Sequence, residues 1–498
     1  MKERISGRKK LASLAIAMCF TFSANSANSA NSASSLVRQA VKTENSSTSR
    51  STSSNLHVAR EILRDLIATQ AVGERGSTAS ATLLEQRFLQ AGFAKEDVHL
   101  LAPSAHSNKA NLVVRLRGKN VAKPILYIGH LDVVEAKRED WNFDPFVLTE
   151  HEGWLYGRGT IDMLGQNSAM VANFIRLKQE GFVPDRDLIL ALTADEETET
   201  DANGVAWLIK EHRALIDAAM VINPDAGESA MKHGKHHYQA IQTSEKIYLD
   251  FKLEATDKGG HSSRPTKNNP IYRLSRGLDR LSKFEFPLHL TDTVRAYFQA
   301  RANLESGQKK RDMQAIAKMQ KGAMHSDVVK RLSSEVETNI MLRTTCTTTQ
   351  ISGGHAENAL PQRAYATVQC RVIPGESQAY VQELLQKVIQ DKDIQISVLA
   401  AAKPSPETPP SANVRSIVES VSHAMWPGLQ ILPLMSPGAT DNVYTRLAGI
   451  PTYGIDAMFD DLDDGRAHGR DERIGVQVFN DEVEFFYRLM KAMDKLPR

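Results

Sequence analysis

Apolar residues first recur at helical spacing at Val58, Ile62, Leu63 and Leu66, and again at Leu83, Leu84, Phe88 and Leu89. The pattern predicts amphipathic helices over 57–69 and 78–90, with Gly92 stopping the second. The texture then changes. Residues 110–117 alternate, and the runs at 124–129 and 187–194 are mostly apolar, without alternation, as strands covered on both faces require. Helical spacing returns over 166–179 and 204–212, followed by a strand at 218–223. Strand and helix by turns predict an α/β domain, a mostly parallel sheet with helices on both faces.

Beyond Asp225 a period of two takes over, in Lys246–Leu253, Asn339–Cys346 and Arg363–Arg371. Helical stretches at 270–282 and 376–390 separate these strands, so a smaller α+β domain with an antiparallel sheet is expected. The charged, helical-looking residues 290–335 read as an insertion in it. Lys403–Pro410, with four prolines, is a linker leading back. A helix at 411–424, strands near 429 and 452 and a last helix at 480–495 complete the first domain. The plan is thus 58–229 and 403–498 for the larger domain and 230–402 for the smaller, with hinges near 230 and 402.

The 498 residues are 41% hydrophobic and 24% charged, ordinary for a globular chain of more than one domain. Five basic residues precede the apolar run 11–22 and a tract of small residues, which reads as a secretory signal over 1–26, too short for a stable membrane span. A Ser/Thr/Asn-rich leader over 27–56 follows. The expected location is periplasmic or secreted. Losing the signal removes five basic and one acidic side chain, turning the formal charge from +2 to −2, which argues against a nucleic-acid partner. Cys346 and Cys370 lie equidistant from residue 358, so a hairpin there would oppose them. A disulfide and two buried thiols are both open.

The chemistry gathers at strand ends. Gly129-His130-Leu131-Asp132 places an imidazole at a strand tip, with a carboxylate two residues on that can accept the other ring N–H. Gly157-Arg158-Gly159 precedes Asp162, and Asp195-Glu196-Glu197 ends an apolar strand. Adjacent acids on a buried strand tip repel one another unless a cation is present. A solvated acidic loop is the plainer reading, and Glu199 and Asp201 fit it. The strand feeding in from Leu188 favours a metal. His233, His236 and His237 read as a solvated hinge.

These runs, with Asn223–Gly227, Gly259–Ser263, Glu357–Pro361, Cys370–Gly375, Pro437–Asp441 and Ala467–Gly469, occur in the order of the M20 metallopeptidases, of the carboxypeptidase and aminoacylase kind, which the chain resembles from about residue 58 to the end. The resemblance implies two zinc ions, with cobalt or manganese as alternatives. Asp162 would bridge them, His130 and Asp225 completing one and Glu197 and His468 the other. It implies Glu196 as general base and acid, Asp132 as the partner of His130, and His261 as a donor to the oxyanion. Asn358 and Arg371 would hold a substrate carboxylate, with Gly438 and Thr440 lining the same pocket. The smaller domain would serve as lid and dimerisation domain. Leu164, Gly165, Gln166 and Asn167 depart from the family pattern, which usually has a Lys there. The implied activity is that of an exported di-zinc carboxypeptidase on short peptides. An N-acyl amino acid amidohydrolase is the alternative, and a binding protein that has lost the chemistry is the third reading. A homodimer is possible.

Overall fold

The computed structural model describes residues 53–198, 202–320, 326–399 and 402–497. The segment read as a signal and all but the end of the leader lie outside the described residues. The chain divides into two units, Met1–Ser54 and Asn55–Arg498, and the fold described is that of the second. Asn55 and Leu56, placed in the leader, are already helical. Asn55 is buried and donates to Asn173 Oδ1 at 2.9 Å.

One large mixed sheet organises this unit. Its strands are β1 (Val98–Leu101), β2 (Asn111–Leu116), β3 (Ile125–His130), β4 (Leu188–Thr193), β5 (Met220–Asn223), β6 (Glu228–Lys232) and β7 (Lys235–Glu245). The small domain then supplies β8 (Ile247–Thr256), β9 (Gly260–His261), β10 (Thr345–Gly353), β11 (Ala359–Leu360), β12 (Arg363–Val372) and β13 (Ile394–Val398). Returning, the chain adds β14 (Gln430–Ser436), β15 (Thr452–Gly454) and β16 (Asp460–Asp461). The large sheet runs β1-β2-β4-β3-β5-β15-β7-β6-β16, with β14 on β7. Its centre, β4-β3-β5-β15, is parallel, as the apolar runs predict, and antiparallel pairs flank it.

Every residue of β3 and β4 is buried, and their side chains part to two cores by the strand period of two. Ile125, Tyr127, Leu188, Leu190 and Leu192 face the helices 164–179 and 476–493. Leu126, Ile128, Ile189 and Ala191 face Val205 and Leu208 of helix 204–211. Tyr127 meets Phe174 edge to face at 6.1 Å. With both faces covered, the C-terminal ends of the parallel strands are left to form a crevice for a ligand.

The small domain carries an antiparallel sheet, β10-β12-β8-β13, whose inner face packs on helices 270–282 and 378–389. Three readings shift. Residues 228–245 lie in the large sheet, so the chain crosses at Lys246 rather than near 230. The alternation read over 339–346 is half helix, 336–342, because Thr338, Met341 and Leu342 are buried at helical spacing, and the strand begins at Thr345. The helices of the 290–335 segment share a core with Tyr238, Ala240, Leu432 and Leu434 of the large sheet. They brace the catalytic domain rather than the lid.

Cys346 and Cys370 face each other in the β10/β12 register and are joined by a disulfide. Closing a loop of 24 residues constrains the unfolded chain by about 2–4 kcal/mol. Reduction should therefore expose the small domain to proteolysis at lower urea while the large domain's protection is unchanged. Identical cleavage before and after reduction would contradict this.

Candidate active site

Three strand ends and two loops deliver the site. β3 ends in His130, β4 leads to Asp195-Glu196-Glu197, and β5 leads to Asp225. The loop before helix 164–179 brings Asp162, and the loop before helix 476–493 brings His468. Three groups lie with ligand atoms within 4.8 Å of one another: His130, Asp162 and Asp225; Asp162, Glu197 and His468; and His130, Glu196 and Glu197. Asp162 stands between the first two. Its Oδ1 is 3.1 Å from His130 Nε2 and its Oδ2 is 3.0 Å from His468 Nε2. Glu197 Oε1 is 3.0 Å from the same nitrogen of His468. The five expected ligand positions and Glu196 therefore share one crevice.

Backbone contacts hold these groups in place. The Asp132 carboxylate accepts the main-chain N–H of Glu196 at 3.2 Å and of Glu197 at 3.1 Å. This revises the sequence reading: the partner of His130 Nδ1 is the main-chain carbonyl of Asp132 at 2.9 Å, and the carboxylate aims the Glu196-Glu197 turn instead. A carbonyl acceptor still fixes the tautomer, leaving Nε2 as a ligand atom. On the other side Glu472, fully buried, accepts from Ile161 N at 2.8 Å, Asp162 N at 3.2 Å, Gly159 N at 3.0 Å and Arg158 at 2.6 Å. Nothing in the hydropathy pattern marks Glu472. The only available signal was an acid four residues after His468.

Three further supports went unseen. Asn167 Nδ2 donates to His130 O at 2.5 Å, and Gly129 must lack a side chain because a Cβ there would lie 2.1 Å from Asn167 Oδ1. Asp195, at φ +67°, turns the chain so that Glu196 and Glu197 enter the crevice, and its buried carboxylate is paired with Lys109. Asn203 holds Asp441 at 2.6 Å.

The electrostatics show what this convergence costs. Burial pushes Glu196 well above the usual carboxylate range, and the charges of Asp225 and Asp441 push the same way. Burial raises Asp441 to about 7. Burial alone would lower the His130 imidazole, but contacts with Asp162 and Asp225 hold it well above its ordinary value. Asp225 Oδ2 is buried and has no hydrogen-bond partner among the described residues. Crowded acids, an orphaned oxygen and two imidazoles are the donor set of a divalent metal centre, so the residues present fit such ions.

The remaining predicted residues lie outside these close-set groups. His261 and Asn358 are neighbours on the β9/β11 ribbon, where Ser262 N donates to Asn358 O at 3.1 Å. Arg371 lies on β12 with its guanidinium 4.8 Å from the ring of Tyr248, and it makes no ion pair among the described residues. Gly438 N donates to Ser436 Oγ at 3.1 Å, and Thr440 Oγ1 to Glu245 Oε2 at 2.9 Å.

Known proteins resemble this chain over most of its length. The model of Peptidase family M20/M25/M40 matches residues 126–492. The N-fatty-acyl-amino acid synthase/hydrolase PM20D1 of Homo sapiens is 26% identical over 381 residues, 75% of this chain and 74% of that protein. The probable carboxypeptidase S-like 2 of Dictyostelium discoideum is 25% identical over 387 residues, 75% of this chain and 72% of its own length. Among solved structures, the M20 family metallo-carboxypeptidase Sso-CP2 of Sulfolobus solfataricus superposes with a TM-score of 0.67 at 18% identity, over 88% of this chain and 99% of that one.

In the metal-free protein, contacts with Asp162 and Glu197 raise His468 to about 10. A raised histidine adds stability that is complete below its unfolded pKa of about 6.5 and is lost as pH rises through the folded value. The urea midpoint of chelated protein should fall between about pH 7 and pH 10, and His468→Gln should flatten that slope. Equal slopes would refute the pairing.

Proposed function

The chain belongs to peptidase family M20/M25/M40, and on that premise we propose that it is a two-metal hydrolase, with zinc as the expected ion, acting as a carboxypeptidase on short peptides. The observation that carries this is the meeting of His130, Asp162, Glu197, Asp225 and His468 around a shared carboxylate, with Glu196 beside them. Two divalent ions held there would lower the pKa of water and polarise the scissile carbonyl.

The chain's own residues supply the rest. Glu196, half-buried and with its carboxyl raised, takes the proton of the attacking water and returns it to the departing amine. Asp132 keeps that carboxylate aimed through the two main-chain N–H groups it accepts. His261 Nδ1 accepts from Ser263 N at 3.2 Å, so the neutral ring carries its proton on Nε2, free to donate to the developing oxyanion. Arg371, whose guanidinium makes no ion pair among the described residues, and Asn358 take the substrate's free carboxylate. Gly438 and Thr440 line that pocket.

The small domain closes over the substrate about Lys246 and the 403–410 linker. A homodimer through the exposed edge strand β10 belongs to the same reading. So does export, which rests on the basic, apolar and small-residue sequence at the start of the chain. Hydrolysis of N-acyl amino acids is the second reading, favoured by the likeness to the human N-fatty-acyl-amino acid synthase/hydrolase. Both reactions place an amide beside a free carboxylate.

Glu196→Ala should keep about two metals per chain while kcat falls by about 10² or more. Elemental analysis and mass-spectrometric product assay over dipeptides, blocked dipeptides and acyl amino acids measure both. Loss of metal together with activity would make Glu196 a ligand instead.

A further inference from the structure

Glu245 is fully buried and stands apart from the three ligand groups, and its two oxygens face different parts of the chain. Oε1 accepts from Ser405 of the returning linker at 3.0 Å. Oε2 accepts from Thr440 of the 437–441 loop at 2.9 Å and from Gln242 at 3.2 Å. The buried Arg446 guanidinium, 3.5 Å away, balances its charge. A carboxylate is costly to bury unless paired in this way, and with one oxygen committed to each side it ties linker to loop.

The connection continues in both directions. Toward the small domain the next residue, Lys246, is buried, donates its main-chain N–H to Ser436 O at 2.9 Å and its Nζ to Arg343 O at 2.7 Å. Tyr248 then pairs with Arg371 across β8 and β12, the guanidinium 4.8 Å from its ring. Toward the cluster, Thr440 leads to Asp441, whose Oδ1 accepts from Asn203 Nδ2 at 2.6 Å and whose Oδ2 accepts from Thr193 at 3.4 Å. The same Asn203 Nδ2 reaches Asp195 O at 3.4 Å, at the head of the turn that carries Glu196. Asn203 is itself pinned, because its Oδ1 caps helix 204–211 by accepting from Ala206 N at 3.0 Å. Hydrogen bonds and short chain segments thus run from Arg371 to the main chain beside Glu196, and Glu245 is where linker, strand and loop meet.

We propose that Glu245 is a positioning residue that carries engagement of the substrate's carboxylate at Arg371 across the domain crossing to the 437–441 loop, and through Asn203 to the turn that aims Glu196. This rests on the hydrolase reading above. A bound carboxylate can shift that turn only by favouring one arrangement of the crossing over another, and the physical link between the two sites is this carboxylate and its donors. Interaction with Arg371 is then realised in the aim of the base as well as in binding, so it raises kcat and not only affinity.

The test uses the full-length, zinc-loaded enzyme and two variants remote from the metals. Ser405→Ala releases Oε1 from the linker, and Glu245→Gln leaves one accepting oxygen where there were two. Zinc content should match the unsubstituted enzyme in both, while kcat for acetyl-alanyl-alanine falls about fivefold or more and KM changes less. Hydrogen exchange reads the coupling without turnover. In the unsubstituted enzyme, saturating N-acetyl-alanine should slow exchange of the Glu196 and Glu197 amides, and N-acetyl-alaninamide, which lacks the carboxylate, should not. Both variants should still bind N-acetyl-alanine by calorimetry but lose that protection. Unchanged kcat in both variants, protection that survives in both, or loss of zinc along with activity would overturn the coupling. Failure of N-acetyl-alanine to bind, or equal binding by Arg371→Ala, would overturn the carboxylate clamp and the coupling with it. No turnover of any substrate would instead overturn the hydrolase reading, and the exchange measurement would then decide the coupling alone.

Discussion

The structure is arranged around a repulsion. Asp162, Glu196, Glu197 and Asp225 are brought within ligand distance of one another or of shared imidazoles, and Asp132 and Asp441 are buried behind them. Two carboxylates 4 Å apart in such surroundings repel by about 4 kcal/mol. The fold opposes this with rigidity. Covered parallel strands supply the tips, and Asp132 and Glu472 clamp the main chain of the turns that carry Glu197 and Asp162. Divalent cations turn the same crowding into binding energy, because each acid is already aimed and its desolvation already met.

The arrangement extends to the small domain through one buried group. Glu245 ends β7, just before the chain crosses to the lid, and accepts from Thr440 at 2.9 Å and from Ser405 in the returning linker at 3.0 Å. Both crossings and the loop bearing Asp441 therefore meet at one carboxylate, which also faces Arg446 at 3.5 Å. Domain position and the geometry of the catalytic loop share a common anchor.

Much of this was legible in the sequence. The runs 124–129 and 187–194 declare covered strands because both of their faces must be apolar, and their ends name His130, Glu196 and Glu197. What failed were readings in which a local pattern fits two structures. Asn339–Leu342 alternates well enough for a strand, yet its burial follows helical spacing. The basic residues 232–237 look like a hinge, although the strand they enter belongs to the large sheet. Glu472, Lys109 and Asn167 escaped because their work is done through contacts across tens to hundreds of residues, and no local spacing encodes those. Asp132 was assigned to the right neighbourhood with the wrong atom, since alternation places a side chain on a face but does not say whether its carbonyl or its carboxylate meets the ring.

The central claim, that separate strand ends converge to hold a pair of divalent cations, is tested most directly by diffraction from zinc-loaded crystals on either side of the zinc absorption edge. The account predicts two anomalous peaks flanking Asp162, one beside His130 and Asp225 and the other beside Glu197 and His468. A single peak, peaks elsewhere in the chain, or ordered side chains around an empty cluster at saturating zinc would contradict it.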